Sequence, residues 1–193
     1  MFLNKFPLAD RAGTYSVHKL ISEATSGADG VLWRRCSGYA LVLAAKPIEG
    51  CECKAYGPGP RVGQITRFDL LAEVSGAKKT DGMAHNARGI RTDLVLTSRH
   101  ADPSRSYAEI ARDVGAAWLA RQGERHGFKL HLLSEVQYET LEFKRKDRLL
   151  RIGTIAFSGQ LEITNADSFR AAMLNGIGHS KAWGCGLLLC LTN

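Results

Sequence analysis

The sequence contains no apolar run that approaches the roughly 20 residues needed to cross a bilayer. Its opening segment lacks the apolar core of a secretory signal peptide. Cysteine is scarce and odd in number, with five residues, and the Cys51 and Cys53 pair has no second pair at a ligand spacing. We therefore expect a cytoplasmic protein with reduced thiols, without membrane contact, and with neither a metal site nor another cofactor.

The sequence also lacks the common nucleotide-binding fingerprints, although four glycines cluster near its end, at positions 176, 178, 184 and 186. A dinucleotide fingerprint would require glycine where Lys181 stands, and a P-loop would require Ser or Thr directly after Gly-Lys. Glycine tolerates positive φ and lets another backbone come close, so this cluster fits a loop that contacts phosphate. A simple turn between a helix and the last strand fits the glycines equally well.

Positive charge is what the sequence has in excess, with a net charge of +7 and a pI of about 9.3. Clustered Lys and Arg release counterions from phosphates, which makes a polyanion the first partner to consider. Five cations and one acid fall within the nine positions 143–151 of one predicted hairpin tip, the cations being Lys144, Arg145, Lys146, Arg148 and Arg151. Such a run fits either a surface that lies along duplex RNA or an ordinary solvated turn.

The first half of the chain predicts one helix among four strands. The helix starts near Thr14, with apolar residues recurring three and four positions apart. Residues 47–63 are rich in Gly and Pro and predict a loop or a short irregular helix. The strands are expected at 1–9, 31–36, 39–45 and 65–74, the middle two forming a hairpin about Ser37 and Gly38.

The second half predicts a β-α-β-β-α-β order. Two helices are expected, at 106–127 and from Asn165 to 174, and the four strands at 90–96, 128–143, 149–163 and 187–191. The fold class is therefore α+β, with two tandem ferredoxin-like (RRM-like) domains and a C-terminal glycine-rich loop. We expect the domains at 1–88, carrying the first helix, and 89–193, carrying the basic hairpin and the loop.

Three features occur together in this order: Tyr15-Ser16-Val17-His18 at the start of the first helix, the basic hairpin, and a terminal Gly-x-Gly-x-Ser-Lys-Ala-x-Gly-Cys-Gly-Leu-Leu loop. This combination resembles the CasE family, the CRISPR repeat-RNA endoribonucleases of the type I-E Cascade. The resemblance covers the whole chain in order and length. Family members often have Pro or Arg where His179 stands, and a small or apolar residue where Trp183 stands.

The resemblance implies that the chain cleaves precursor CRISPR RNA at the base of the repeat hairpin, without a metal, through attack by the RNA's own 2′-hydroxyl. It further implies that the protein stays on the hairpin as a Cascade subunit, beside the backbone subunit at the 3′ end of the guide RNA. His18 is the expected proton carrier, as general base or general acid, since imidazole titrates near neutral pH. Tyr15 would hold the 2′-hydroxyl or the phosphate. Without the glycine loop, the same pair would indicate only helix packing.

Further RNA contacts are expected near both domains. Lys19, Arg34 and Arg35 could neutralise charge on the transition state, or could be solvated surface cations. The expected loop contacts are Gly178, His179, Ser180 and Lys181. Two other functions stay open. One is a non-catalytic RNA-binding scaffold of the same superfamily, against which His18 argues. The other is a small-molecule-binding regulator, which would not need the clustered cations.

Overall fold

The structure is a computed structural model that describes residues 1–9, 12–78 and 89–191. The described strands form two four-stranded antiparallel sheets and one two-stranded sheet. Among the residues described, no helix is long and apolar enough to span a membrane.

The first part of the chain forms β1 (Phe2–Pro7), α1 (Thr14–Ala24), β2 (Leu32–Cys36), β3 (Tyr39–Ala44) and β4 (Glu52–Ala55). Its sheet has the strand order of a ferredoxin-like fold, β2-β3-β1-β4. A loop replaces the second helix that such a unit would carry between β3 and β4. The strand β4 lies inside the segment predicted as a loop or irregular helix, so that prediction is wrong there. The four residues of β4 are too few for a strand pattern to stand out from the Gly- and Pro-rich residues around them.

The rest of the described chain forms β5 (Ile65–Glu73), β6 (Ser75–Lys78), β7 (Ile90–Asp93), α2 (Leu94–Ala101), α3 (Tyr107–His126), β8 (Phe128–Arg145), β9 (Arg148–Ile163), α4 (Ala166–Asn175) and β10 (Leu188–Leu191). The second sheet repeats the strand order of the first, as β10-β5-β9-β8. Helices α3 and α4 come after β5 and β9 in the chain, as a complete ferredoxin-like unit requires. The two ferredoxin-like units predicted from the sequence are confirmed.

The strand β5 belongs to the second unit, where it pairs with β9 and β10, and not to the first unit as predicted. Only four residues of the predicted strand 90–96 are strand, and they pair with β6 in the separate two-stranded sheet. The next residue starts α2, because the side chain of Asp93 accepts hydrogen bonds from the amides of Val95 and Leu96. The second unit therefore begins ahead of the predicted boundary at residues 88 and 89.

Helix α3 forms as its pattern predicts. Ser106 and Glu109 form a reciprocal capping box at its start, and Gly127 ends it in the left-handed conformation with φ 72°. Ile110, Trp118 and other apolar residues face the core under the second sheet. This helix fixes the position of the glycine loop, which follows α4 beside it.

The two units are joined by an apolar cluster between their sheets, formed by Leu3, Leu32 and Leu43 of the first and Leu187 of the second. The long β8–β9 hairpin extends past the second sheet, since β5 pairs with β9 only over residues 154–162. Beyond that point β8 contacts helix α1 of the first unit. The hairpin tip therefore lies beside the first helix, which carries His18.

Candidate active site

The glycine loop is a tight connection in which all four glycines have positive φ, between 74° and 89°. The sequence-based expectation of positive φ is confirmed. Gly186 donates its amide hydrogen to the carbonyl of Leu71 at 2.7 Å and accepts from the amide of Ile177 at 2.9 Å. These bonds tie both ends of the loop to the second unit, and between them one turn of 3-10 helix spans Lys181–Trp183.

Trp183 is the point at which three distant parts of the chain meet. Its ring centroid lies 4.8 Å from that of His18 on α1 and 4.6 Å from that of Phe143 on β8. Tyr15 lies further out, at 6.3 Å, and the guanidinium of Arg145 lies 5.9 Å from the Trp183 ring. The structure thus brings together the three features predicted from the sequence, and the indole of Trp183 joins them.

A second tryptophan, Trp33, holds this turn in place from below. Its ring is buried among Val17 and other apolar residues under α1, and its Nε1 donates to the carbonyl of Ala182 at 3.2 Å. Gly184 lies directly over the same ring, where a Cβ would come within 3.0 Å of it. Because the ring contact needs a backbone without a side chain at 184, the glycine helps to set the position of the Trp183 indole.

The imidazole of His18 is half-buried and open to a ligand. In the part of the chain that the structure describes, its ring contacts Trp183 and no group hydrogen-bonds to its nitrogens. It borders a surface hollow of about 290 Å³, closed on the other side by the turn that includes Ala28 and Asp29. Both nitrogens are therefore available to a substrate, and the indole restricts the ring's orientation.

The three cations predicted near His18 lie in different surroundings. Lys19 is exposed beside it on α1. Arg35 donates to the carbonyl of Ala12, just ahead of that helix. Arg34 points to the opposite face of the sheet, since successive strand residues alternate, and its Nη1 lies 3.9 Å from Asp69 Oδ1 of β5. The structure does not bring Arg34 to the His18 side.

The basic hairpin tip is solvent-exposed as expected, and its tight turn is at Lys146, with φ 53°, and Asp147. Lys144 and Arg148 are exposed on either side of the turn. Arg151, further from the tip, donates from Nε to Glu142 Oε2 at 2.7 Å across the two strands. Four of the five predicted cations therefore have no carboxylate partner among the described residues, and one of these four, Arg145, lies near the Trp183 ring.

Two polar residues of the loop, Ser180 and Lys181, form hydrogen bonds within the protein. Ser180 donates its hydroxyl to the carboxylate of Glu73, and Lys181 Nζ donates to the carbonyl of Asn175 at 2.7 Å. His179 is exposed, while Gly178 lies over the edge of the Trp118 ring. His179 and Lys181 both face away from Trp183, toward the end of α3.

Comparison with known proteins decides the family. The family model described as CRISPR associated protein matches residues 4–191. The chain belongs to this family. Cse3 from Thermus thermophilus, a CRISPR-associated endoribonuclease, is similar to it at 26% identity over 93% of this chain and 90% of the relative.

Solved structures show the same fold. A structure of CRISPR endoribonuclease Cse3 bound to a 19-nucleotide RNA superposes with a TM-score of 0.74 and 26% identity, covering 100% of both chains. A chain of a CRISPR RNA-guided surveillance complex superposes with a TM-score of 0.68 and 21% identity over 98% of both chains. The arrangement of the two ferredoxin-like units is therefore shared with both.

Sequence reasoning did not assign a site role to Trp183, Phe143 or Trp33. A tryptophan inside a glycine loop was visible as a departure from related sequences, but its partners lie far away in the chain. It also gave no role to Arg121 and Arg125, which are four positions apart on α3 and reach the other side of the loop.

In the described ranges, no three His, Cys, Asp or Glu side chains gather as metal ligands would.

Proposed function

We propose that this chain is an endoribonuclease that cleaves precursor CRISPR RNA at the base of the repeat hairpin and then stays on the product. The observation that carries the proposal is the convergence at Trp183 of His18, the basic hairpin tip and the glycine loop. An imidazole open to solvent, set beside a cationic arm, suits proton transfer at a phosphodiester. The printed name of the Thermus relative, an endoribonuclease, supports the same activity.

In the reaction we propose, the 2′-hydroxyl of the RNA attacks the adjacent phosphorus while the bond from phosphorus to the 5′-oxygen breaks. The product strand then ends in a 2′,3′-cyclic phosphate. One proton leaves the 2′-oxygen and one reaches the departing 5′-oxygen, and His18 performs one of these two transfers. Tyr15, one helical turn earlier and on the same side of Trp183, orients the 2′-hydroxyl or the phosphate through its own hydroxyl.

The exposed cations of the hairpin tip hold the RNA duplex. A-form RNA is recognised mainly by its shape and its phosphates, which a projecting two-stranded arm with cations on both strands can contact. The tip residues Lys144, Arg145, Lys146 and Arg148 are exposed and lie within one turn of the arm. Lys19 adds a cation beside His18, where charge grows on the phosphate during the reaction.

We also infer that the protein acts in the cytoplasm as a subunit of a guide-RNA complex of the Cascade type. The fold shared with a chain of an RNA-guided surveillance complex supports this assignment. A protein that stays bound to the hairpin it has cut remains at the hairpin end of the guide RNA without a further contact to another subunit.

The test is incubation of the protein with a repeat-hairpin RNA in EDTA, followed by analysis of the product ends. We expect cleavage in EDTA, a 2′,3′-cyclic phosphate, and no cleavage when the nucleotide before the cut is 2′-deoxy, although that RNA still binds. Activity that requires added magnesium would contradict the mechanism. Tight hairpin binding without any cleavage would favour the alternative function, a non-catalytic RNA-binding scaffold.

A further inference from the structure

A second basic site lies on the other side of the glycine loop from His18. It is a cleft of about 530 Å³ between the end of α3, the loop and strand β6. Five of its lining residues are Arg or Lys or His, from two separate elements: Arg121, Arg125, His126, His179 and Lys181. Among the described residues that line the cleft, none is acidic.

The positive charges in the cleft are not neutralised within the described part of the protein. Neither Arg121 nor Arg125 forms an ion pair there. The backbone of Glu73 pairs with that of His179 in an isolated β-bridge. Its carboxylate, however, contacts Ser180 and Arg91 and not the cations of the cleft. The pKa of His126 is lowered by burial and by the positive charges of Lys181 and Arg125, which line the same cleft.

Stabilisation of the fold accounts for only some of these residues. Arg125 and His126 lie in the last turn of α3, where positive charge favours the helix dipole. Lys181 satisfies a carbonyl at the end of α4. Arg121 lies a turn earlier and His179 is an exposed loop residue, so neither has such a role.

The shape of the cleft also favours a phosphate chain. Gly176 and Gly178 contribute backbone to its wall, and the space where a side chain would project is taken by Leu32 at Gly176 and by the Trp118 ring at Gly178. Its volume lies within the range of roughly 300 to 1,000 Å³ typical of ligand sites, enough for one or two nucleotides. Lys181 is held in position by its bond to Asn175, which reduces the entropy lost when it contacts an anion.

We propose that this cleft binds the sugar-phosphate backbone of a single-stranded RNA segment that continues from the base of the hairpin. The inference rests on the proposed function, because the glycine loop would then separate the hairpin-binding side from the single-strand side. Arg121 and Arg125 contact phosphates, and the loop residues His179 and Lys181 complete the opposite wall.

The test compares the affinity of three RNAs that carry a 2′-deoxy block at the cut: the bare hairpin, which keeps only the one nucleotide after the cut, and the hairpin with a single-stranded extension on its 5′ or its 3′ side. We expect the wild-type protein to bind one extended RNA more tightly than the bare hairpin. The Arg121→Gln/Arg125→Gln variant should lose about tenfold in affinity for that RNA, as two solvent-exposed charge contacts predict, and keep its affinity for the bare hairpin. Its salt slope should fall by about 1.4 units, near 0.7 for each single-strand contact.

The matched control is the Arg112→Gln/Arg170→Gln variant, which removes the same charge from exposed positions of α3 and α4 outside the cleft. It should bind all three RNAs as the wild type does. The inference is overturned if neither extension adds affinity, if the cleft variant weakens bare-hairpin binding equally, or if the control shows the same loss. Cleavage of the bare hairpin by the wild type tests the proposed function separately, so the two can fail independently.

Discussion

The two sides of the glycine loop differ in chemistry although the residues that reach them are two positions apart. Trp183 faces His18, Phe143 and the hairpin, and Lys181 faces the basic cleft. A 3-10 helix has about three residues per turn, so side chains two positions apart point about 120° away from each other. One short turn between positive-φ glycines therefore supplies an aromatic contact to one site and a cation to another.

The two sides also differ in what holds them together. The Trp183 side is stabilised in the free protein by ring contacts, each worth about 0.5 to 1.5 kcal/mol beyond its buried area. The cleft side gathers like charges, which repel until an anion arrives. We therefore expect substitutions on the Trp183 side to affect cleavage and folding, and substitutions on the cleft side to affect mainly RNA binding.

The largest expected effect on the Trp183 side is that of His18→Ala. It should slow cleavage by roughly 10²-fold or more, the usual scale for a positioned proton carrier, with hairpin affinity nearly unchanged. Tyr15→Phe should slow it less, because the proton carrier remains. The measurement is single-turnover cleavage, with His100→Ala, an exposed histidine on α2, as the control. Undiminished cleavage by His18→Ala would show that another group carries the proton.

Replacing Lys144, Arg145 and Lys146 together by alanine should weaken binding of the bare hairpin strongly. Each lost duplex phosphate contact removes close to one unit from the slope of log affinity against log salt, so the slope should fall by up to about three units. Binding titrations at several salt concentrations measure it, with Arg112→Gln/Arg170→Gln as the control. An unchanged slope would make the tip an ordinary solvated turn.

Local signals in the sequence predicted most elements but not all of their partners. The end of α3 at Gly127 and the turn at Lys146 depend on neighbouring residues, and both are found where expected. The strand β5 was recognised as a strand, but alternation does not say which sheet a strand joins, and its pairing with β9 is long-range. The contact of Trp183 with His18 is equally long-range, so the loop was predicted while its aromatic centre was not.

Trp183→Leu should reduce the rate of cleavage about tenfold, because the imidazole loses the ring that restricts it and small misplacements of reacting groups are costly. Hairpin affinity should change little. Trp183→Phe should restore most of the rate, since it keeps an aromatic face toward His18. A rate that depends on side-chain volume alone, with leucine as good as phenylalanine, would argue against positioning by the ring.

Gly184→Ala should destabilise the fold by about 1 to 2 kcal/mol, because a residue with a Cβ is strained at positive φ. Here φ is 89° and the added Cβ would lie 3.0 Å from the buried ring of Trp33. Denaturant unfolding measures the change. Gly59→Ala is the control, since nothing lies within 4 Å of a Cβ there and its φ is not positive. Equal stability of the two variants would mean that the loop is not tight at 184.

The smallest expected effect lies on the cleft side and concerns His126, whose pKa is lowered from its ordinary value of 6.5 by burial, then by Lys181, then by Arg125. Lys181→Met should raise the pKa of His126 toward the ordinary value while keeping the alkyl chain against Gly186, and Arg125→Gln should raise it less. NMR titration of the imidazole measures both.

Because the pKa of His126 is lower in the folded protein than in the unfolded chain, the free energy of unfolding falls as the pH drops from the unfolded-state pKa to the folded-state pKa. Lys181→Met brings the two pKa values closer, so it should weaken this pH dependence of stability. Adding the extended RNA should raise the pKa of His126 in the wild type, because phosphate offsets the neighbouring cations. If the bare hairpin raises it equally, the cleft does not distinguish single-stranded RNA from the hairpin, and the contrast between the two sides of the loop would fail.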